Sequence, residues 1–257
     1  MSNITIWISG ILLAGLILLA IMYGLARRNA IDVHKIFLSK EDGKKLTIFF
    51  ISDIHNRYIQ DKMLAKVDHE IDVVIIGGDL ADKRVSIMKL LENIHRLQRW
   101  GSPIYFIPGN NDHELIEANM VDLLYQEGVH VLSNRDVHLS IDGRLSCTLS
   151  GMDPYYLVPR RHSSYVKDAA NFQILTVHDP MVFQHMNEED KGRFELILTG
   201  HTHGGQIRFL GFGPFTRGGW FEHKGYSLLI SEGYGTSLMP LRLGTRAECH
   251  VIEILPE

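Results

Sequence analysis

Aspartate, asparagine and histidine side chains recur along the chain in short motifs, each of which closely follows an apolar stretch. These motif positions are Asp53, His55, Asp79, Asn110, His178, His201 and His203. Carboxylate and amide oxygens combined with imidazole nitrogens suit Mn, Fe or Zn better than Ca or a thiolate-binding metal. The set is too large for one ion and suits two ions that share a carboxylate. Because two such ions can hold a phosphate group and activate water, the motifs predict a two-metal hydrolytic centre.

A lone histidine at any of these positions would more simply be an ordinary core or surface imidazole. The chain contains fourteen histidines, and we interpret those outside the motifs as ordinary. A metal centre is favoured by the ordered series D-x-H, G-G-D, G-N-N-D, an isolated His and G-H-T-H. If these histidines were ordinary, all of the motifs would have to occur in this order by chance. The glycines before Asp79, Asn110 and His201 also permit tight turns beside an ion.

The apolar stretches before the motifs predict strands of a sheet that is buried on both faces. Predicted strands lie at residues 30–38, 46–51, 73–76, 104–107, 137–141, 145–149, 172–177, 195–198, 226–230 and 249–255. Apolar residues at helical spacing predict helices at residues 85–97 and 115–126. Because strands outnumber helices in the second half, we expect two packed sheets. Parallel strands open onto one crevice at their carboxyl ends, where we expect the motifs to converge.

Composition excludes several classes of protein. The 257 residues are 45% hydrophobic and 22% charged, which is too apolar for a disordered chain. Cys147 and Cys249 are the only cysteines, so a disulfide scaffold and a cysteine-rich zinc site are excluded, and we expect both to be small buried residues. With 26 basic and 30 acidic residues the net charge is −4, so no nucleic-acid partner is expected.

Residues 4–26 form an uncharged apolar run without proline that is long enough to cross a bilayer as a helix. Trp7 and Tyr23 lie near its ends, where aromatic rings favour the membrane interface. A buried core helix and a cleaved signal peptide are the alternatives. The length of the run and the lack of a basic residue before it count against them, so we predict a single-pass membrane anchor.

Basic residues follow the apolar run but do not precede it. They are Arg27, Arg28, Lys35, Lys40, Lys44 and Lys45. By the positive-inside rule, the N-terminus is expected outside the cell membrane and residues 27–257 in the cytoplasm. The expected organisation is a transmembrane anchor over residues 1–26, a juxtamembrane strand and turn over residues 27–45 and a catalytic domain over residues 46–257.

The motif series resembles the calcineurin-like metallophosphoesterase superfamily over residues 46–257. G-H-T-H-G-G-Q at residues 200–206 and ISEGYGTSLMPLRL at residues 230–243 are similar to a membrane-anchored bacterial phosphodiesterase branch of that superfamily. The resemblance implies an α/β fold, a four-layer αββα sandwich of two mixed sheets, here preceded by one transmembrane helix. It also implies in-line attack of a metal-bridging hydroxide on a phosphoester, with no covalent enzyme intermediate.

The resemblance further implies how the ligands divide between two divalent metal ions, for which Mn, Fe and Zn are the candidates. Ligands of one ion would be Asp53, His55 and His203. Ligands of the other would be Asn110, His178 and His201, and Asp79 would bridge the two ions.

The sequence departs from the superfamily in the motif G-N-N-D at residues 109–112. Many members have a histidine at the third position that helps to protonate the leaving group, whereas Asn111 cannot deliver a proton at neutral pH. We hypothesise that the natural leaving group is itself good, such as a phosphate from a diphosphate link, as in the superfamily's sugar-nucleotide diphosphatases. The alternative is that His113 supplies the proton. Asn111 and Asp112 are candidate catalytic residues, with His113 as the alternative acid.

Arg57 follows His55 closely and is a further catalytic candidate, because a guanidinium group can pair with two phosphate oxygens. An exposed loop arginine is an equal alternative. Segment 208–221 also carries several aromatic residues among glycines: Phe209, Phe212, Phe215, Trp220 and Phe221. They predict either an apolar lip for an acyl chain or the bilayer, or a loop that packs on its own domain. The aromatic stretch at residues 155–158 raises the same question.

Three functions are consistent with these features. The main expectation is a membrane-tethered phosphodiesterase or diphosphatase with a lipid-linked or nucleotide-sugar substrate, because a tether concentrates an enzyme at membrane-borne substrates. The second is a nucleotide or cyclic-nucleotide phosphodiesterase of the same superfamily. The third is a catalytically silent metal-binding scaffold, which would have no reason to keep every ligand.

Overall fold

The computed structural model describes residues 3–38, 45–141, 145–154 and 172–256, so the aromatic stretch at residues 155–158 lies outside the described part. Its helices are α1 (Asn3–Ala26), α2 (Asp61–Leu64), α3 (Ile87–Leu97), α4 (Met120–Gln126), α5 (Pro180–Gln184) and α6 (Glu188–Lys191). Its strands are β1 (Ala30–Leu38), β2 (Leu46–Ile51), β3 (Val73–Ile76), β4 (Ile104–Phe106), β5 (His130–Val131), β6 (Arg135–Ile141), β7 (Leu145–Met152), β8 (Phe172–Val177), β9 (Leu196–Thr199), β10 (Gly219–His223), β11 (Tyr226–Ile230) and β12 (Glu248–Pro256). Short 3₁₀ turns lie at Gln98–Trp100, Asp112–Glu114 and His203–Gly205.

The described strands form two six-stranded sheets. The first has the order β1-β12-β2-β3-β4-β5 and is parallel except for the pair β12–β2. The second has the order β10-β11-β9-β8-β7-β6, with parallel pairs in the middle and an antiparallel pair at each edge. Both sheets are therefore mixed, as expected.

Apolar side chains pack in three layers of core between and outside the sheets. Leu90 of α3 belongs to the layer between the first sheet and the helices α2, α3 and α4. Phe50 and Ile174 belong to the layer between the two sheets. Phe183 of α5 packs against Leu175 on the outer face of the second sheet. The order helix, sheet, sheet, helix confirms the four-layer α/β sandwich.

Strand β2 shows why its sequence is apolar almost throughout, with Thr47 as the one polar residue. Phe49 and Ile51 point into the layer that faces the helices, whereas Ile48 and Phe50 point into the layer between the sheets. Successive side chains of a strand face opposite sides, and both sides of this strand are covered. Every residue of the strand is consequently buried.

Helix α1 is long and apolar enough to cross a membrane. Its side chains are exposed except for a few near its C-terminal end, where Met22 and Ala26 are buried against the domain. Strand β1 follows at once and pairs in parallel with β12, with Ala30 opposite Glu248. Because β1 is part of the first sheet, the expected domain boundary at residue 46 runs through that sheet.

Among the differences from the predicted elements, one helix is shorter than expected and one strand near the site was not predicted. The helix predicted to begin at residue 115 begins at Met120, because the side chain of Asn119 accepts a hydrogen bond from the backbone N–H of Val121 (3.0 Å) and caps the helix there. No strand was predicted within segment 208–221, yet β10 pairs antiparallel with β11 there. Flanking glycines obscured its pattern, since glycine is unfavourable in strands.

Candidate metal centre

The predicted motif residues lie in loops at the carboxyl ends of parallel strands. Strands β2 and β3 are neighbours in the first sheet, and β8 and β9 are neighbours in the second. Their loops meet at one edge of the sandwich, where the structure brings together Asp53, His55, Asp79, His178, His201 and His203. This convergence is the one expected for parallel strands.

One group consists of Asp53, His55 and His203, all of which are buried. Each offers a ligand atom, and these atoms all lie within 4.8 Å of one another. The Nε2 of His203 lies 3.1 Å from the Nε2 of His55 and 3.4 Å from the Oδ1 of Asp53. The backbone N–H of His201 donates to both carboxylate oxygens of Asp53 at 3.1 Å, which fixes the orientation of that carboxylate.

A second group consists of Asp79, His178 and His201, whose candidate ligand atoms also lie within 4.8 Å of one another. The Oδ2 of Asp79 lies 3.3 Å from the Nε2 of His178 and 3.6 Å from the Nε2 of His55. Asp79 therefore stands between the two groups. The Nδ1 of His178 lies 2.7 Å from the carbonyl oxygen of Gly77. Since a carbonyl can only accept, that nitrogen donates, and Nε2 faces the carboxylates.

The carboxylates make this centre attractive to positive charge. Burial lowers the pKa of His178, but the charges of Asp79 and Asp53 outweigh burial and raise it to about 10. Burial likewise opposes the ionisation of Asp79, yet His178 and His55 hold its pKa below the ordinary value. The same charge complementarity favours a bound cation.

The backbone of the motif residues is strained. Left-handed φ angles occur at Asp53 (53°), His55 (48°), Asp79 (50°), His201 (70°) and His203 (49°). A non-glycine residue in this conformation costs on the order of 1–3 kcal/mol and persists only where the surrounding structure imposes it. Strain at so many neighbouring candidate ligands is typical of a functional site.

Two glycines of the motifs are required by close approach to the carboxylates. A Cβ atom at Gly200 would collide with Oδ2 of Asp53, and a Cβ at Gly109 would collide with Oδ1 of Asp79. The glycines therefore allow neighbouring loops to pack directly against the carboxylates.

Asn110 joins the centre through the loop after β4. Its Oδ1 is buried and accepts no hydrogen bond from the described residues, while its Nδ2 donates to Oδ1 of Asn111 (3.0 Å). The Nδ2 of Asn111 in turn donates to Glu114 (3.2 Å), and its backbone N–H donates to Oδ1 of Asp79 (2.8 Å). These hydrogen bonds leave the Oδ1 of Asn110 without a donor among the described residues, close to Asp79.

Asp112 is buried and supports the loops from beneath. Its Oδ2 accepts from the backbone N–H groups of Asp79 (2.8 Å) and Gly109 (2.6 Å), and its Oδ1 accepts from that of Ala81 (3.0 Å). This side chain therefore ties the loop after β3 to the loop after β4. The structure gives it a positioning role, and not the direct catalytic role expected from the sequence.

Replacing Asp112 with asparagine would turn an amide NH₂ toward a backbone N–H that now has an acceptor. We expect a loss of about 1–3 kcal/mol in the free energy of unfolding, together with weaker metal binding because Asp79 shifts. Chemical denaturation of the full chain in detergent measures the first effect. Asp122→Asn, an exposed position on α4, is the matched control; equal stability of the two variants would contradict this role.

Two residues that the sequence analysis did not single out hold the histidines in place. The Oδ2 of Asp82 lies 3.2 Å from the Nδ1 of His55. Although burial raises the pKa of Asp82, hydrogen bonds from His55 and Arg84 hold it well below its usual range. Carboxylates behind histidine ligands orient the ring in this way. The only signal in the sequence is the short distance of Asp82 from Asp79.

Arg242 is the other residue that was missed. Its side chain is fully buried, and its Nη2 donates to the carbonyl oxygens of Glu232 (2.6 Å) and Gly235 (2.7 Å). The same atom lies 3.4 Å from the Nδ1 of His203. Burial lowers the pKa of Arg242 to about 10, so the group stays charged. No local pattern marks an arginine whose partners are carbonyl groups of a folded loop.

Two catalytic candidates lie away from the centre. Arg57 donates to the carbonyl oxygens of Tyr234, Arg27 and Arg28, and its guanidinium carbon stacks 4.0 Å from the centre of the Tyr234 ring. Its Nη2 donates to the link that follows α1 and its Nη1 to Tyr234, and it does not line the cavity beside the metal ligands, so the structure does not support a contact with substrate phosphate. His113 is exposed on a 3₁₀ turn.

The pairing of β1 with β12 assembles a third group, Asp32, His34 and His250. The Nε2 of His34 lies 3.2 Å from the Nδ1 of His250, and the ring of His34 stacks on Trp220 with 4.3 Å between ring centres. Asp32 pairs with Arg246. Burial, followed by the charge of His250, lowers the pKa of His34 to about 4. These contacts describe a packed polar network, with a cation already beside the carboxylate.

A cavity of about 410 Å³ opens above the two Asp/His groups. Asp79, Asn110 and Asn111 line its floor together with His201 and His203, and its rim includes Phe215, Leu238 and Met239. Two adjoining Asp/His groups beneath a cavity, at the strand ends of an α/β sandwich, define a class of hydrolases that act through divalent metal ions.

Comparison with known proteins identifies the family. The model of calcineurin-like phosphoesterases matches residues 46–205. The uncharacterized protein YpbG of Bacillus subtilis (strain 168) is 40% identical over 257 residues, which covers 98% of each chain. The uncharacterized metallophosphoesterase YkoQ of the same strain is 28% identical and covers 87% of this chain and 91% of its own.

A transmembrane protein with a metallophosphoesterase domain from Bos taurus is also similar, at 28% identity over 79% of this chain and 51% of that protein. The chain belongs to the calcineurin-like phosphoesterase family. It is a metal-dependent phosphoesterase, as the motif series predicted.

Proposed function

We propose that this chain is a membrane-anchored phosphohydrolase that uses two divalent metal ions to cleave a phosphodiester or diphosphate bond. The observation that carries the proposal is the position of Asp79, whose carboxylate contacts histidines of both ligand groups (3.3 Å to His178 and 3.6 Å to His55). A single carboxylate between two groups of donors is the arrangement that two neighbouring ions need.

The donors fit metal ions of the Mn, Fe and Zn type, which accept nitrogen and oxygen ligands. Asn110 supplies a buried oxygen with no hydrogen-bond donor among the described residues, and His178 presents Nε2 because its Nδ1 donates to Gly77. On this basis Asp53, His55 and His203 would hold one ion. Asn110, His178 and His201 would hold the other, with Asp79 shared. When bound, the ions would supply charge neutralisation of the phosphate and an activated water.

The residues of this chain prepare the centre in three ways. Asp82 and the Gly77 carbonyl fix the rings of His55 and His178. Asp112 holds the loops that carry Asp79 and Asn110 at a fixed distance. Asn111 lies at the cavity floor, where its side chain can donate a hydrogen bond to a phosphate oxygen but no proton.

The residues that line the cavity favour a substrate with a good leaving group. Among the described residues that line it, the titratable ones are Asp79, His201 and His203, all of which are proposed ligands. His113 is exposed and is not in that lining. Because no other side chain among the described residues of this lining can protonate a departing alkoxide, a diphosphate or an activated ester is the substrate class that the site favours.

Asn111→His tests this account of the leaving group. We expect the variant to gain on phosphate monoesters with poor leaving groups, by about 10²-fold or more if the new imidazole acts as an acid, and to change little on a diphosphate. Steady-state rates on both substrates measure the effect. Asn111→Gln, which adds bulk without an acid, is the control. Equal rates for the two variants on the monoester would count against the proposal.

The membrane location rests on α1. This helix leaves most of its apolar side chains exposed, which is unfavourable in water and favourable in a bilayer. The basic residues that follow it support the expected orientation, with the N-terminus outside and the catalytic domain in the cytoplasm. The anchor would span residues 1–26, residues 27–45 would form the juxtamembrane strand and turn, and residues 46–257 would form the catalytic domain, to whose first sheet the juxtamembrane strand β1 adds.

A further inference from the structure

Two loops beside the catalytic cavity carry apolar side chains that the domain does not cover. Phe209, Leu210 and Phe212 are 70%, 82% and 82% exposed, and Leu238 is 82% exposed. The backbones of Phe209 and Phe212 exchange hydrogen bonds of 2.9 Å in both directions, so the first loop is a closed turn. Such a turn presents its side chains outward, and an apolar patch of this kind marks an interaction surface.

Both loops are attached to the end of α1. The backbone N–H of Arg208 donates to the carbonyl of Leu243 (2.7 Å), and that of Arg242 donates to the carbonyl of Met22 (3.0 Å). Met22 lies about 6 Å before the end of the helix, given the rise of 1.5 Å per residue. The loop that contains Leu238 therefore stands beside the last turn of the proposed membrane span, at the depth of the interface.

Arg57 fixes the link between α1 and the domain. Its Nη2 donates to the carbonyls of Arg27 (3.0 Å) and Arg28 (3.1 Å) and to Oδ1 of Asn29 (2.6 Å). Its guanidinium group rests on the ring of Tyr234, which is fully buried in the domain. A link held by so many bonds prevents the domain from swinging freely beneath the helix, so one face of the domain is held toward the bilayer.

A cationic cavity lies between the end of α1 and the domain. It has a volume of about 540 Å³, and its walls include Arg27 and Lys89, together with Arg57, which holds the link after α1, and Arg84, which pairs with Asp82. The described residues that line it include no carboxylate. Leu238 lines this cavity and also the catalytic cavity. Basic residues at a membrane surface attract anionic headgroups, and here they border the opening of the catalytic cavity.

We propose that the face with the catalytic opening lies against the bilayer. Phe209, Leu210, Phe212 and Leu238 form a membrane-facing surface, the cationic cavity receives lipid phosphate groups, and the metal centre acts on a phosphoester carried by a membrane lipid. The last statement rests on the proposed function, whereas the membrane contact does not. A bilayer is the occupant because the surface continues from α1 and combines apolar turns with cations, as interfacial segments do.

Site-directed spin labelling tests the contact without reference to activity. Single cysteines are placed at Leu210 and Phe212 in the full chain, reconstituted in vesicles of phosphatidylcholine with a minor fraction of phosphatidylglycerol. The native Cys147 and Cys249 are buried, so the nitroxide reacts at the new site. Met181→Cys on α5, 51% exposed, is the control.

Labels at positions 210 and 212 are expected to collide more with oxygen and less with a water-soluble nickel complex than the label at position 181. Collision rates equal to those at position 181 would overturn the proposal. So would spin–spin coupling at positions 210 and 212 that grows with protein concentration, because it would show that a second copy of the chain covers this surface.

A second experiment tests whether the membrane-facing surface helps a lipid substrate to reach the metal centre. The triple variant Phe209→Ser, Leu210→Ser and Phe212→Ser is compared with the wild type on two nitrophenyl phosphodiesters, one soluble and one with a long alkyl chain embedded in vesicles. We expect a loss of about tenfold or more on the embedded probe and no change on the soluble probe, because the variant loses apolar burial in the interface.

Equal losses on both probes, or none on either, would contradict a role in presenting lipid substrate. The proposed function fails in a different way, since the wild type would then cleave neither probe in a metal-dependent manner. In that case the spin labels still decide whether the surface contacts the membrane.

Discussion

Asp79→Asn is expected to abolish most phosphoester cleavage, with a loss on the order of 10³-fold or more. The carboxylate lies between the two ligand groups, and several kcal/mol of transition-state stabilisation depend on the ions that it would hold together. An amide at this position carries no charge, and its NH₂ group could not serve as a ligand where the carboxylate oxygen would hold an ion. The loss should therefore appear in the catalytic rate constant as well as in metal affinity.

The measurement is the steady-state rate on a soluble nitrophenyl diester, with the metal content of the same samples determined by elemental analysis. Asp122→Asn removes a carboxylate from the exposed face of α4 and serves as the control. We expect it to keep the wild-type rate and metal content. If the Asp79→Asn protein had the wild-type rate, the shared carboxylate would not be required for catalysis.

Arg242→Met is expected to cause the largest loss of stability, about 3–5 kcal/mol in the free energy of unfolding. The guanidinium group is fully buried and donates to the carbonyls of Glu232 (2.6 Å), Gly235 (2.7 Å) and Arg246 (2.8 Å). Without it these carbonyls lie buried and unpaired. Because Arg242 also lies 3.4 Å from the Nδ1 of His203, the metal centre should loosen together with the loop.

Chemical denaturation of the full chain in detergent, followed by tryptophan fluorescence, gives the free energy of unfolding. Arg135→Met, on an exposed position of β6, is the control and should change stability by less than about 0.5 kcal/mol. Similar values for the two variants would show that the buried arginine does not hold the loop.

Those features of the fold that depend on local patterns could be predicted from the sequence. β2, β3 and β8 were predicted with their observed ends, because strands covered on both faces need a largely apolar sequence. α4 was predicted too long, because the capping side chain of Asn119 competes with an apolar spacing that continues upstream. β10, which pairs with β11, was missed because the glycines that flank it obscured its pattern.

In the candidate site, too, some residues could be predicted from the sequence and others could not. The motif residues follow strands, so their convergence follows from topology. The supporting residues Asp82, Asp112 and Arg242 act through backbone groups or rings that only the fold brings near. Arg57 shows the limit most clearly: beside the D-x-H motif it resembles a phosphate ligand, yet its partners Arg27, Arg28 and Tyr234 lie far from it in sequence.

The central claim is that Asp79 joins two metal sites into one hydrolytic centre. The most direct measurement strips the full chain of metal, titrates Mn²⁺ back and follows bound ions and cleavage of the soluble nitrophenyl diester together. We expect activity to rise with occupancy to a maximum at about two ions per chain. The matching monoester, which has the same leaving group, serves as a second probe. A chain that binds no metal and cleaves neither substrate would contradict this account.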